Sequence, residues 1–257
     1  MPVSLSTIAA IDFSAQLVMF AYSAFHQTEV FYDVTGSLTY LLCISTLVVS
    51  NQPLNTRQMF VAAGVCLWAM RLGFFLYKRV LVHADHRFDI IKKSPLRFLG
   101  AWLIQGLWIF ITASPAFVAL ASVSHSPWSL LDYIGTFIWM AGFALESLAD
   151  YQKSAFKALY PKDFCNTGVW RYSRYPNYFG EIALWTGMTL LCFGEMQGTA
   201  YFALLSPVFV TLLIVNVSGV RLSEISQKKQ YGSRKDWIEY VRATSKYFPL
   251  PPLKKTD

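Results

Sequence analysis

The stretch W-R-Y-S-R-Y-P-N-Y-F-G-E, residues 170–181, joins a basic and aromatic segment to the start of an apolar run. Pro176 fixes its own backbone angle and suits the first turn of a helix, so we expect residues 177–181 to open a helix. The free N–H groups at such a helix start favour anions. The stretch therefore predicts a polar site at the entrance of an apolar helix.

The side chains of this stretch suit a polar cofactor. The guanidiniums of Arg171 and Arg174 match phosphate oxygens through planar, bidentate hydrogen bonds. Asn177 and Glu181 can pair with a neutral amide or with ribose hydroxyls. We therefore predict that these four residues bind the cofactor.

The composition predicts an integral membrane protein. Of the 257 residues, 54% are hydrophobic and 14% are charged, and the mean hydropathy is +0.38, which is too apolar for an ordinary soluble domain. A transmembrane helix needs about 20 apolar residues. We expect an all-α, polytopic membrane helix bundle of about seven transmembrane helices, with a range of about six to eight because two candidates are short. The candidates are residues 7–25, 35–50, 58–77, 98–122, 129–149, 178–194 and 199–218.

The basic residues predict the topology. Residues 78–97, 153–174 and 221–255 hold 20 of the 22 lysines and arginines. With seven spans these segments share one face, which the positive-inside rule makes cytosolic. Residues 221–257 then form a cytosolic C-terminal tail of a single domain covering residues 1–257. The net charge of +7 is explained by these basic cytosolic segments. It gives no reason to expect nucleic acid as a partner.

Two carboxylates lie at the end of the fifth predicted span. Glu146 and Asp150 are four residues apart, so on a helix they share a face. A carboxylate that faces lipid costs several kcal/mol, and the pair should therefore face a cavity or Lys153 and Lys157. Two interpretations remain open, which are an interfacial ion-pair network and a binding site for ribose hydroxyls or a nicotinamide carboxamide.

Other polar residues near the spans carry less information. Asp12, Glu29 and Asp33 flank the first span and are expected at the interface. Gln105 is expected to hydrogen-bond across helices, with a gain of about 1 kcal/mol.

The loop H-A-D-H-R-F-D offers a histidine pair that could suggest a metal. His83 and His86 are three residues apart, with Asp85 and Asp89 close by. Arg87 among them would repel a cation, and no third cluster of ligands is evident. We predict no metal site.

At residues 170–181 the chain resembles the membrane reductases of steroids and sterols, namely the steroid 5-alpha-reductase family and the delta-14 and delta-7 sterol reductases. E-S-L-A-D-Y-Q-K-S-A-F-K, residues 146–157, looks like the hallmark of a 5-alpha-reductase-like subgroup of unknown function. R-L-S-E-I-S-Q-K-K-Q-Y-G, residues 221–232, is similar to the C-terminal signature of the family. The resemblance covers most of the chain from about residue 65 onward.

The resemblance implies a helix bundle that binds NADPH from the cytosolic side. It implies an oxidoreductase that transfers hydride from NADPH to a conjugated carbon–carbon double bond of a lipophilic, steroid-, sterol- or polyprenol-like substrate. Negative charge develops on the conjugated oxygen, so a hydroxyl donor there assists catalysis. Tyr178 is the candidate catalytic donor, although it could instead only pack against the cofactor. Carried over by motif, the cofactor-binding residues are Glu146, Asp150, Arg171, Arg174, Asn177, Glu181 and Arg221.

The sequence departs from the family at one informative position. Many relatives have a histidine before the Pro-Asn pair, and this chain has Tyr175. The carboxylate and tyrosine with which relatives hold a steroid ketone have no clear counterpart here, although Trp68 falls near the expected tyrosine.

Two rival functions remain. Membrane methyltransferases of the isoprenylcysteine carboxyl type share an R-x-P-x-Y-x-G-E region and bind S-adenosylmethionine. A non-catalytic lipid-binding scaffold would also explain the departures from the reductase pattern. The C-terminal K-K-T-D resembles a dilysine retrieval signal and predicts the endoplasmic reticulum, with membrane lipids and a lipophilic small molecule as partners.

Overall fold

The computed structural model describes residues 3–82, 88–123 and 126–253, and within these ranges the chain forms helices and loops without a β-strand. This confirms the all-α prediction. The α-helices are α1 (Leu5–His26), α2 (Tyr32–Ser50), α3 (Thr56–Val82), α4 (Phe88–Ile91), α5 (Pro95–Thr112), α6 (Ser114–Ala121), α7 (Leu130–Leu159), α8 (Pro176–Cys192), α9 (Leu205–Leu212), α10 (Val220–Tyr231) and α11 (Lys235–Ala243).

Local sequence signals explain several of the helix ends. The Ser4 hydroxyl accepts a hydrogen bond from the backbone N–H of Thr7 and caps the start of α1. Gln27 ends α1 in the left-handed conformation, with φ of 51°. Helix α8 begins at Pro176, as the sequence predicted.

The apolar helices make this an integral membrane protein. Among the described residues, five helical segments are long and apolar enough to cross a membrane: Leu5–His26, Tyr32–Ser50, Thr56–Leu81, Pro95–Thr112 and Gly198–Tyr231. The spans predicted at residues 129–149 and 178–194 correspond to α7 and α8, which are not among these five. Helix α8 is only 17 residues long. The count of seven therefore stays a prediction.

The last apolar segment is broken near its middle. Residues 198–231 amount to 34 residues, more than the roughly 20 that one crossing needs. A π-helical turn, Leu213–Val217, and the non-helical Gly219 separate α9 from α10. Turns of the π type occur frequently at functional sites. Helix α10 therefore begins at Val220 as a separate helix. In the described residues, no side chain caps its first turn.

The chain folds into two compact units. Unit 1 consists of Met1–Tyr133 and Met188–Ser206, and unit 2 consists of Ile134–Gly187 and Pro207–Asp257. All eight residues predicted to bind cofactor or substrate lie in unit 2. The prediction of a single domain stays untested.

A buried ion cluster centred on Arg57 joins three connections of unit 1. Its guanidinium donates to Asp132 Oδ1 at 2.5 Å, to the Glu195 carboxylate and to the carbonyl oxygens of Ser126 and Pro127. The side chains of Arg57, Asp132 and Glu195 are at most 2% exposed. Arg57 lies in the first turn of α3, Asp132 in the first turn of α7 and Glu195 just after α8, so the cluster links three segments of unit 1 that are distant in the sequence.

Ion pairs with greater exposure link other connections of unit 1. Lys92 Nζ lies 2.6 Å from Glu29 Oε2, and Arg79 Nη2 lies 3.2 Å from Asp33 Oδ2. Glu29 thus lies between α1 and α2, and Asp33 lies in the first turn of α2, while their place at the membrane interface stays a prediction. Gln105 also behaves as predicted, because its Nε2 donates to the backbone oxygen of Tyr32 across a helix interface.

Asp12 is buried in the protein interior, which the sequence did not predict, and its expected place at the membrane interface stays a prediction. It is the eighth residue of α1, and its side chain is completely buried in unit 1. The sequence pattern missed it because one carboxylate interrupts the apolar run without ending the helix.

Candidate functional site

Close packing between α7 and α8 builds the framework of the site in unit 2. A Cβ atom placed on Gly142 would lie 2.6 Å from the backbone nitrogen of Leu184, and one on Gly180 would lie 2.7 Å from that of Glu146. Only glycine allows two helix backbones to approach so closely. Contacts run from Gly142 with Leu184 to Glu146 with Gly180, so the two helices are antiparallel.

This seam brings the predicted carboxylates to the start of α8. Asn177 Nδ2 donates to Asp150 Oδ1 at 3.3 Å. Glu146 lies one turn earlier on α7, and both carboxylates are buried. The structure therefore brings Glu146, Asp150 and Asn177 together, as the resemblance implied, although they lie about 30 residues apart in the sequence.

Trp170 anchors the segment before α8 onto α7. Its indole Nε1 donates to the backbone oxygen of Ala149 at 2.9 Å, and Lys153 Nζ lies 4.9 Å from the ring centroid. The backbone N–H of Val169 donates to Gln152 Oε1 at 2.8 Å. These contacts hold the W-R-Y-S-R-Y stretch against the same helix that carries Glu146 and Asp150. The cation of Lys153 is thereby placed on the tryptophan face.

Glu224 orients the guanidinium of Arg174. Arg174 Nη1 lies 3.4 Å from Glu224 Oε1, and the other carboxylate oxygen lies 2.9 Å from Lys246 Nζ. Arg174 Nε is buried and has no hydrogen-bond acceptor in the described part of the chain. Glu224 thus holds the Nη1 side of this guanidinium. The Nε atom remains available to donate a hydrogen bond to an acceptor on a ligand.

The chain beyond α11 folds back over the same stretch as a strap, which we define as residues 244–250. The backbone N–H of Arg174 donates to Ser245 O at 2.9 Å, and that of Leu250 donates to Tyr172 O at 3.0 Å. The Ser173 hydroxyl donates to Tyr247 O at 2.8 Å. The segment predicted as a cytosolic tail therefore contains two helices and a strap that packs on the candidate site.

Tyr175 and Tyr178 stack on each other at the start of α8. Their ring centroids are 5.8 Å apart, with an angle of 21° between the ring planes. Tyr175 is buried, and its hydroxyl has no partner in the described residues. Burial, followed by the nearby Glu224 carboxylate, raises the pKa of the Tyr175 phenol, so the hydroxyl stays protonated at neutral pH.

Tyr178 faces the break between the π-helical turn and α10. A Cβ atom on Gly219 would lie 3.1 Å from Cζ of the Tyr178 ring, and the Tyr178 hydroxyl lies 3.5 Å from Ser223 Oγ. The uncapped first turn of α10, which carries Arg221, therefore starts beside this tyrosine. A helix start of this kind favours anions.

Arg171 and Arg221 are exposed, and their guanidiniums make no ion pair within the described residues. Glu181 is half-buried on α8, on the turn after Asn177. The predicted site residues thus form three groups. Glu146 and Asp150 are buried near Asn177, Arg174 is held by Glu224, and Arg171 and Arg221 are exposed.

The unpaired polar atoms of the site fit a dinucleotide. Arg174 Nε can donate to a phosphate or ribose oxygen, the Tyr175 hydroxyl can donate to an oxygen, and Asn177 Oδ1 can accept from an amide nitrogen. A buried polar atom without a partner costs about 1–3 kcal/mol, so three of them near one helix start indicate a ligand. NADPH has phosphates, ribose hydroxyls and a carboxamide that match these groups.

Sequence reasoning missed several residues that shape the site. Ser173, Glu224 and Lys246 position the Arg174 segment, and Gly219 makes room for Tyr178. Glu224 lies inside the 221–232 motif, which was the only signal that could have suggested it. The histidines of the proposed metal alternative, His83 and His86, lie outside the described residues. The described residues contain no group of histidine, cysteine, aspartate and glutamate side chains that could hold a metal ion.

The strap gives a testable prediction. We expect Ser173→Ala to loosen residues 244–250, because it leaves the buried N–H of Tyr175 and the carbonyl of Tyr247 without their partner, at a cost of about 1–3 kcal/mol. Hydrogen exchange of the strap amides should accelerate by about tenfold or more, whereas the exposed Ser233→Ala should leave it unchanged. Equal exchange in both variants would contradict the strap.

Comparisons with known proteins place the chain in a family. A family model described as protein of unknown function (DUF1295) matches residues 19–244. The chain is also similar to an uncharacterized protein of Schizosaccharomyces pombe, with 24% identity over 207 residues. This alignment covers 69% of the chain and 60% of the relative, so the chain spans less than two thirds of the relative's length. No solved structure matches the chain.

Proposed function

The chain belongs to the DUF1295 family, and we propose that it is a membrane oxidoreductase that uses NADPH to reduce a conjugated carbon–carbon double bond of a lipophilic substrate. The proposal combines the resemblance of residues 146–157, 170–181 and 221–232 to steroid and sterol reductases with the geometry of unit 2. A steroid-, sterol- or polyprenol-like compound is the proposed substrate class.

The observation that carries the proposal is the assembly of the three motifs in one unit. Asp150 from the first motif bonds Asn177 from the second, and Glu224 from the third pairs with Arg174 from the second. The second motif is thus held on both sides by the other two.

The chain's residues can be assigned roles by their chemistry. Arg171, Arg174 and Arg221 would hold phosphates. Asn177, with Asp150 behind it, would hold a neutral amide or a ribose hydroxyl, and its Nδ2 is already fixed by the carboxylate. When bound, NADPH supplies the hydride for the reduction.

Tyr178 is the proposed catalytic donor. Its hydroxyl lies near Ser223 Oγ, and its ring is fixed between Tyr175 and Gly219. A fixed donor aimed at the oxygen of a conjugated substrate stabilises the negative charge that develops there, typically by about 3 kcal/mol. Tyr178 is half-buried beside the buried Tyr175, and a hydrogen bond in such a partly water-excluded place is stronger than one in bulk water.

We expect Tyr178→Phe to lower kcat by about 100-fold while the KM for NADPH changes by less than about threefold, because only the transition-state hydrogen bond is lost. The assay follows NADPH oxidation with lipophilic enones and detects a product heavier by two hydrogens. Tyr172→Phe is the matched control, because Tyr172 is an exposed tyrosine of the same stretch. An unchanged kcat in Tyr178→Phe would show that the hydroxyl takes no part in catalysis and that Tyr178 only packs in the site.

We further propose that the protein resides in the endoplasmic reticulum with residues 221–257 in the cytosol. The excess of basic residues in three segments supports this orientation. The address is proposed from the resemblance of K-K-T-D, residues 254–257, to a dilysine retrieval signal, and these residues lie outside the described part of the chain.

A further inference from the structure

Helix α10 presents two large apolar side chains on its outer face. Val220 and Tyr231 are buried, and Glu224 lies on the inner side of the helix, where it makes two ion pairs. Leu222 and Ile225 are three residues apart, share one side of the helix and are 42% and 60% exposed. The outer face of α10 therefore exposes apolar surface, although the helix belongs to a segment predicted as a cytosolic tail.

The charged residues next to these apolar side chains are basic. Lys228 and Lys229 are exposed in the last turn of α10 and follow Ile225 by three and four residues, so the three side chains are neighbours on the helix surface. Glu224, the acidic residue of α10, is engaged on the inner side. Helices that lie on a membrane combine such an apolar strip with lysines, whose long side chains reach the headgroups. The outer face of α10 thus fits the surface of a bilayer.

The strap adds apolar surface beside α10. Phe248 and Leu250 are each more than half exposed. Lys246 Nζ lies 2.9 Å from Glu224 Oε2, so the strap is tied to α10. The ring centroids of Phe248 and Phe179, which is in the first turn of α8, are 5.4 Å apart. The exposed apolar side chains of the strap and of α10 therefore belong to two elements that are joined to each other.

The break before α10 lies at the end of a membrane crossing. Residues 198–217 already supply the roughly 20 residues that one crossing needs. Asn216 and Ser218 are polar and exposed, and polar side chains that face hydrocarbon are costly. The non-helical Gly219 follows them. Helix α10 therefore begins where the chain has reached the polar boundary of the membrane, and it needs no crossing of its own.

We propose that α10 and the strap lie on the surface of the bilayer and bind anionic phospholipids. Leu222, Ile225 and Phe248 enter the boundary of the hydrocarbon, while Lys228 and Lys229 contact the headgroups. A zwitterionic surface offers the same hydrocarbon but no net negative charge, so charge complementarity selects anionic lipids. The proposal goes beyond the proposed function, because it concerns the contact with the bilayer and requires no nucleotide.

The first test measures the depth of a bimane label in the full-length protein reconstituted in nanodiscs of phosphatidylcholine and phosphatidylserine. Ile225→Cys carries the label on α10, and Ser233→Cys, at an exposed residue just after this helix, is the control. Cys66 is replaced by alanine in both variants, since the other three native cysteines are buried. An interfacial helix is buried about 5–10 Å into the headgroup and acyl boundary. We therefore expect lipids with a doxyl group on the chain to quench the label at position 225 more strongly than the label at position 233, and iodide in the water to quench them in the reverse order.

The second test measures the preference for anionic lipid. Quenching of the label at position 225 is compared between doxyl-labelled phosphatidylserine and doxyl-labelled phosphatidylcholine. Each basic residue near an anionic surface is worth about fivefold in affinity, so Lys228→Gln with Lys229→Gln should lower the preference for phosphatidylserine by about fivefold or more. Lys228→Arg with Lys229→Arg is the matched control, because it keeps both charges and should keep the preference.

Stronger quenching from the lipid phase at position 225, together with a preference for phosphatidylserine that only the glutamine variant loses, would support the proposal. Quenching by iodide to the same degree at both positions would place the outer face of α10 in water. Protection of position 225 from both quenchers would place it against protein, and equal quenching by the two lipids would remove the charge preference. Each of these three results would overturn the proposal. Failure of NADPH to bind in a separate assay would affect only the proposed function, since the quenching tests contain no nucleotide.

Discussion

Replacing Arg57 by methionine is expected to lower the free energy of unfolding by about 3–5 kcal/mol. The methionine keeps much of the side-chain volume but leaves Asp132 and Glu195 as buried carboxylates without a cation. It also removes the donor for the carbonyl oxygens of Ser126 and Pro127. Unfolding in mixed micelles of a mild detergent and sodium dodecyl sulfate would measure the loss.

Arg79→Met is the matched control for this prediction. Arg79 also pairs with a carboxylate, that of Asp33, but its side chain is 45% exposed. An exposed ion pair contributes about 0–1 kcal/mol, so the control should be nearly neutral. Similar losses in the two variants would show that burial does not decide the contribution of the Arg57 cluster.

We expect Gly180→Ala to destabilise the protein by about 1–3 kcal/mol and to displace Glu146 and Asp150 from Asn177. The new Cβ would lie 2.7 Å from both Glu146 N and Gly142 O, which are backbone atoms that cannot rotate away. Helices α7 and α8 must therefore separate locally. A thermal melt would report the loss of stability, and NADPH binding would report the displacement.

Gly100→Ala provides the same chemical change in an open position. No atom of the residues that the structure describes lies within 4 Å of a Cβ placed on Gly100, which is in α5. There the alanine should raise stability by about 0.5–1 kcal/mol, because glycine is a poor helix former. If Gly180→Ala were as harmless as Gly100→Ala, the close approach of α7 and α8 would not exist.

Features with a local cause were predictable from the sequence. The start of α8 follows from Pro176, whose effect is confined to its own turn. The resemblance implied that Asp150 and Asn177 belong to one site, and the structure adds the hydrogen bond between them and the glycine seam that brings their helices together. No periodicity in the sequence would have indicated which glycines face each other.

Features that depend on distant residues could not be predicted. Arg57 and Glu195 are 138 residues apart, and Arg174 and Glu224 are 50 residues apart. The sequence around each of these four residues does not indicate which distant residue is its partner. The burial of Asp12 was missed for a related reason, because it depends on the packing of α1 against neighbouring helices. Exposure of single arginines, such as Arg171 and Arg221, also follows from tertiary structure alone.

The most direct test of the central claim compares two ligands on the purified wild-type protein. We expect NADPH to raise the thermal midpoint, with a stabilisation of about 2.7 kcal/mol at 100 times its Kd, and we expect S-adenosylmethionine to have no effect. Asn177→Ala should remove the shift. A shift with S-adenosylmethionine but none with NADPH would contradict the reductase proposal and identify a methyltransferase.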